Sequence, residues 1–230
     1  MTAETAGTGT RLLQALEHRG PAPVLAWHGE ASRIELSGHV LANWVIKSIG
    51  HLRDEIALEE GEEVVIDLTP HWKRLVLTLA AWSLGAEVTV LEPSAQPAGT
   101  EPDVPGAPRV LVTDRPDSTL AGDADEVLAL RAVSLAPRYD GELPALVHDW
   151  VAEVRSHPDR LVGPLPAWSG PAPRPAAADG PPVPRLLVDD DGLGAAPAAL
   201  GAWLAGGGIV GPAASVDPHR AEQEAVTGRA

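Results

Sequence analysis

The sequence predicts an α/β protein with a mostly parallel sheet flanked by helices. Three observations carry this. Short runs rich in Val, Leu and Ile, at 63–68, 87–91, 109–113 and 185–189, alternate with runs of helical periodicity. The first two of these strands and the helix between them fit within about 30 residues, the size of a parallel βαβ unit. The same rhythm returns after residue 184, with a strand, a helix over 195–205 and a strand over 208–211.

The elements follow in order. Residues 11–19 read as a short helix stopped by Gly20. Ser37 can cap a second helix over 37–57. There Val40, Leu41, Trp44, Val45, Ile49, Leu52 and Ile56 recur at three- and four-residue spacing and share one face. Residues 63–68 form a strand. Thr69 is a suitable N-cap and Pro70 a suitable first-turn residue for a helix over 71–84, which Gly85 ends. Strands follow at 87–91, 109–113 and 127–130. Residues 145–156 are expected as an amphipathic helix ending before Pro158. Eight prolines fall within 164–184, so that stretch is expected as a linker or extended surface segment. The expected organisation is therefore an α/β part over 1–163, the Pro/Ala/Gly-rich segment 164–184, and a second βαβ part over 185–230 that packs on the same domain.

Composition narrows the function. The chain has 230 residues, enough to bury a sizeable core. It has no Phe, one Tyr and seven Trp, so Leu, Val and Ala must fill that core, with few large aromatic pockets. A formal net charge of −15 repels phosphate backbones and anionic membranes, which excludes nucleic acid as a main partner. No apolar run reaches a membrane span, and the first ten residues lack a basic start and an apolar core. With no Cys there is no disulfide, thiol nucleophile or thiolate metal site. These features suit a cytoplasmic protein.

Several motifs have a sharp and a plain reading. Gly206, Gly208 and Gly211 match G-x-G-x-x-G, but they follow a helix and enter a strand. The dinucleotide fingerprint needs the reverse. Asp189, Asp190 and Asp191 lie at a strand end; a solvated turn is the plainer reading than a cation site. His148 and His157 are nine apart, which on one helix puts them on opposite faces, so no metal site is expected there. Ligands of open α/β sheets bind at the carboxyl edge of the strands. His71, Trp72, Ser94, Thr113 and Asp189 are the ligand-contact candidates by that rule, with Trp72 packing on the sheet as the plainer reading. Side chains buried in the sheet would count against them. Residues 79–95 and 200–215 echo each other, each placing Ala-Trp in a helix, then Gly, then a strand of small residues. A duplicated unit and an ordinary helix-to-strand turn both account for this.

Residues 30–95 carry a resemblance. Leu36–Ser37, Gly61–Glu63, the strand 64–68, Pro70 and Leu84–Gly85–Ala86 resemble the N-terminal part of adenylate-forming enzymes, which include acyl-CoA synthetases, peptide-synthetase adenylation domains and luciferases. The run 185–215 is similar to a later helix, Gly-Gly turn and strand of that family. More narrowly, the chain looks like a short actinobacterial group of such relatives. The resemblance implies the family's N-terminal α/β fold. It also implies a phosphate loop ending in Pro-Lys-Gly and a catalytic lysine on a lid. The sequence departs from both, since its only lysines are Lys47 and Lys73. The stretch 164–184 lies where the phosphate loop is expected and offers proline, which lacks the N–H that cradles phosphate. The chain is about half the length that the resemblance implies for a full enzyme. The expectation is a non-catalytic relative that binds a protein partner or small ligand, with no catalytic residue, cofactor or metal. An ATP-dependent acid-activating ligase, or a subunit of one, and a structural assembly module are the alternatives.

Overall fold

A computed structural model describes residues 7–29, 33–91, 106–175 and 183–230. The fold is α/β, with parallel-rich sheets flanked by helices. Helix α1 (Thr8–Arg19) buries Leu12, Leu13 and Leu16 and stops at Gly20. Two strands follow that the sequence reading did not separate from loop, β1 (Pro23–His28) and β2 (Arg33–Ser37). Helix α2 (Gly38–Asp54) starts beside Ser37, whose hydroxyl accepts the Val40 N–H at 3.2 Å. Leu41, Val45, Ile49 and Leu52 are buried as expected, but Val40 is 39 % exposed. Ala42, Ile46, Ser48 and His51 are buried too, so α2 hides more than one stripe.

Strand β3 (Glu63–Asp67) leads to α3 (Trp72–Ser83). Thr69 does not cap α3. Residues 69 and 70 precede the helix, and His71, in extended backbone, takes the N-cap position with no side-chain cap hydrogen bond. Eleven of the twelve α3 residues are buried, Lys73 and Arg74 among them. A helix apolar on nearly every side belongs inside a fold. Then come β4 (Glu87–Val90), β5 (Val110–Thr113), α4 (Thr119–Asp123), β6 (Glu126–Ala129), β7 (His148–Asp149) and α5 (Trp150–Glu153). The helix expected over 145–156 is thus much shorter. Leu146 has a φ of 67°, His148 and Asp149 pair with β6, and the Asp149 carboxylate caps α5 through the Ala152 N–H. That cap resets the helix start to Trp150, and a 3₁₀ turn over Val154–Ser156 ends it. The C-terminal elements are β8 (Arg185–Leu187), α6 (Ala196–Leu204), β9 (Gly208–Gly211), α7 (Pro218–Gln223) and β10 (Gly228–Arg229).

The chain divides into two units. One joins Met1–Val45 with Pro171–Ala230, and the other is Ile46–Gly170, so the division falls inside α2. The first unit's sheet runs β10-β8-β9-β1-β2, parallel except for the β1–β2 pair. Ala26 and Val210 lie in register and pack with Val216, Leu187 and Ala221 on one face. The second unit's sheet runs β4-β3-β5-β6-β7 and is wholly parallel. Val65, Leu111 and Val127 sit side by side and are covered by Leu120 and Ala121 of α4. Every residue of β5 is buried, as expected of a central parallel strand covered on both faces.

The Pro-rich segment is not simply a linker. Trp168 is buried, its ring centroid 5.6 Å from that of Trp82, and the Ser169 hydroxyl donates to the Ala86 carbonyl at 2.6 Å. Residues 176–182 lie outside the described residues. Two glycines of the G-x-G-x-x-G match, Gly208 and Gly211, serve close backbone packing. A Cβ on Gly208 would lie 2.6 Å from the Val24 carbonyl oxygen, and one on Gly211 would lie 2.5 Å from that of Asp190. The echoed segments share geometry: α3 and α6 each end at a glycine with φ of 75° and lead into a parallel strand. Their tryptophans differ. Trp82 meets Trp168, whereas Trp203 donates its indole N–H to the Val24 carbonyl at 3.0 Å.

Candidate functional site

In the unit Ile46–Gly170, three neighbouring strands end in register on Asp67, Thr113 and Ala129. The loops that leave them make the carboxyl edge of the sheet, where ligands of open α/β folds bind. Thr113 is fully buried there. Its hydroxyl donates to Asp67 Oδ2 at 3.1 Å and accepts the Arg115 N–H at 3.0 Å. Arg115 Nη2 returns to the same Asp67 oxygen at 2.7 Å. A strand-end threonine and aspartate thereby fix the base of an arginine that reaches into solvent.

Beyond this edge lies a cleft of about 570 Å³, lined in part by Asp114, Arg115, Arg131, Tyr139, Glu142 and Leu143. Arg131 organises it. Its guanidinium lies 4.8 Å from the Tyr139 ring centroid, bonds Asp140 Oδ1 at 3.0 Å and donates to the Asp114 carbonyl at 3.0 Å. The Tyr139 N–H donates to Asp149 Oδ2 at 3.0 Å, which anchors the loop to the start of α5. Burial, with the charge of Asp67 behind it, raises the Asp114 carboxyl above its ordinary value. Burial likewise raises the Tyr139 phenol. The cleft thus offers a phenol, the carboxyls of Asp114, Asp117 and Glu142, and two guanidiniums that are each held by a carboxylate, Arg115 by Asp67 and Arg131 by Asp140.

The five sequence candidates fare differently. Thr113 lies under the cleft but is buried, the outcome that counts against direct ligand contact. His71 and Trp72 are also buried, with ring centroids 5.7 Å apart. Burial first, and Lys73 next, push His71 down to about 3, so it is neutral at ordinary pH. Asp189 lies in the other unit, is 73 % exposed and pairs with Arg229. Asp190 forms a local turn with the N–H groups of Gly192 and Gly194. Ser94 lies outside the described residues. The cleft residues Arg115, Arg131 and Tyr139 were missed by sequence reasoning, although the run Thr113-Asp114-Arg115 at a strand end was a visible signal.

A second polar cluster overturns the reasoning about His148 and His157. The two do not share a helix, and both come to His51 of α2, with ring centroids 5.9 and 5.5 Å away. Glu153 Oε2 lies 2.9 Å from His51 Nε2 and 2.8 Å from His148 Nδ1. Burial lowers His51 against the pull of Glu153. Burial opposes ionisation of Glu153, but its hydrogen bonds with both histidines outweigh this and lower it.

The fold is that of acyl-CoA synthetases. Acetoacetyl-CoA synthetase from Streptomyces lividans superposes with a TM-score of 0.64 at 16 % identity, over 88 % of this chain and 38 % of that one. An acyl-CoA synthetase from Brucella canis gives 0.62 at 16 % identity, over 87 % and 42 %. In sequence, the chain is similar to a TIGR03089 family protein of Mycobacterium tuberculosis (strain ATCC 25618 / H37Rv). The two are 32 % identical over 166 residues, which is 70 % of this chain and 65 % of that protein. The chain therefore spans less than half of each synthetase and under two thirds of the mycobacterial relative. No family model matches it. No helix among the described residues is long and apolar enough to cross a membrane.

Proposed function

We propose that this chain is a non-catalytic relative of acyl-CoA synthetase-like proteins, and that it binds a small polar ligand in the cleft of its Ile46–Gly170 unit. The observation that carries this is the fate of the two lysines. Adenylation relies on cationic groups around a triphosphate. Here Lys47 donates to the carbonyls of His157 and Arg155, and Lys73 to those of Arg131 and Ser134. Both ammonium groups are committed to backbone. What faces the cleft is a mixed set of donors and acceptors around Arg115, Arg131 and Tyr139, suited to a small polar molecule with both kinds of group.

The test is thermal denaturation with Mg-ATP, AMP, an acyl-CoA or free carboxylic acids. A ligand at 100 times its Kd adds about 2.7 kcal/mol, a rise of roughly 5–10 °C for a chain of this size. A rise with an acyl ligand or acid that is lost in Arg131→Ala supports the reading. A rise with Mg-ATP overturns its non-catalytic part. Silence from every compound overturns the small-ligand part and favours a protein partner.

A further inference from the structure

We propose that His51, His148 and Glu153 form a binding site for one divalent metal ion of the zinc class, with Glu126 orienting His148. The site is independent of the cleft reading. Its donor atoms lie within 4.8 Å of one another and come from three elements, α2, β7 and α5. Two imidazole nitrogens converge on one carboxylate oxygen. Zinc takes such donors at about 2.0–2.2 Å, so a small opening of this triangle admits the ion. The nitrogen-rich set selects zinc, or a nearby transition metal, over magnesium or calcium, which take oxygen.

The surrounding groups support the ligands as they do in metal sites. The Asp149 N–H donates to Glu153 Oε1 at 3.1 Å, which leaves Oε2 for the ion. Glu126 Oε2 lies 3.3 Å from His148 Nε2, an arrangement of carboxylate, histidine and metal that fixes the ring and its tautomer. Arg109 in turn lies 3.6 Å from Glu126. Both His148 nitrogens thus face carboxylate oxygens, Nδ1 toward Glu153 and Nε2 toward Glu126.

Two further features are unexplained by packing alone. His51 Nδ1 and His157 Nε2 are buried without a hydrogen-bond partner among the described residues. His157 is only 7 % exposed and lies edge-on to His51. Room for its ring comes from Gly50 inside α2, where a Cβ would lie 3.1 Å from His157 Nδ1. Glycine within a helix costs about 1 kcal/mol relative to alanine, so this is a position that gives up helix stability to admit an imidazole beside the cluster. Three protein ligands leave a fourth position for water.

The full chain, stripped with EDTA, is titrated calorimetrically with Zn²⁺ and spectroscopically with Co²⁺. The expected result is one equivalent bound, with the intense visible absorption of tetrahedral Co²⁺. Affinity is expected to fall by about tenfold or more in Glu126→Gln, which keeps every ligand, and further in His148→Ala and Glu153→Gln. His219→Ala, at an exposed histidine of the other unit, leaves binding unchanged. Circular dichroism in EDTA checks that each variant folds, and Glu126→Gln carries the test if a ligand variant does not. No binding by the parent chain overturns the proposal. So does binding that survives both Glu126→Gln and Glu153→Gln.

Discussion

Glu224 and Arg33, 191 positions apart, meet at 2.6 Å. Arg185 joins from β8 at 2.9 Å, and His28 Nε2 lies 3.1 Å away on β1. One carboxylate therefore ties the segment after α7 to strands β1, β2 and β8. Arg33 first, and Arg185 behind it, hold the Glu224 carboxyl down at about 2 despite its burial. A carboxylate lowered on folding stabilises the molecule fully above its unfolded value near 4.5 and loses this as pH falls toward 2. Glu224→Gln is expected to cost roughly 2–3 kcal/mol at neutral pH. The gap between variant and parent should narrow from about pH 4.5 and close toward pH 2. Urea denaturation across pH checks this, and a gap independent of pH would sink the assignment.

Lys73 has the opposite behaviour. It is buried on α3, and burial, with Arg155 adding to it, pushes its ammonium down to about 8 from 10.5. Between those values the unfolded chain holds a proton that the folded chain has released. Folding stability contributed by this group therefore rises with pH across that window. Lys73→Met removes the titration, and the stability of the parent relative to the variant should increase from pH 8 to pH 10.5. Paired melting curves measure the difference; a parent that gains nothing on the variant shows that Lys73 is not buried as charge.

Much of the fold was legible because its signals are local. The apolar runs of β3, β5 and β9 read as strands without help, and Ser37 and Gly85 marked real helix ends. β1 and β2 were missed because such short strands gain their identity from pairing, β1 with both β9 and β2, which periodicity does not report. The stretch around His148 misled for a different reason. Its helical spacing is real, but Asp149 caps α5 and cuts the helix there. That one cap separates His148 from His157 in backbone direction and lets both reach His51. The edge rule placed Thr113 correctly at the end of β5, whereas the groups that reach the cleft come from loops, where sequence carries little orientation.

The Pro-rich segment has an anchor that can be tested. Trp168 is buried against Trp82, and Ser169 holds the Ala86 carbonyl. Trp168→Ala removes a large buried ring and is expected to cost about 3–5 kcal/mol. It should also open residues 164–170 to protease before the rest of the chain. Limited proteolysis with mass spectrometry reads the cleavage site. Unchanged stability together with unchanged cleavage would mean that the segment does not dock there.

Thr113 offers the sharpest separation of support from contact. Its hydroxyl joins Asp67 to the Arg115 backbone, yet it is closed to solvent. Thr113→Val keeps the shape and leaves a buried Asp67 acceptor short of a donor and the Arg115 N–H short of an acceptor. The expected loss is about 1–3 kcal/mol, with Thr113→Ser restoring most of it. A residue acting only through Arg115 should weaken a cleft ligand by loosening that side chain, and the serine variant should recover the affinity as well as the stability. Parent-like stability in Thr113→Val would remove the hydroxyl from this role. Weak binding that Thr113→Ser does not rescue would instead mean that the methyl group matters, which places Thr113 in contact with the ligand after local opening of the edge.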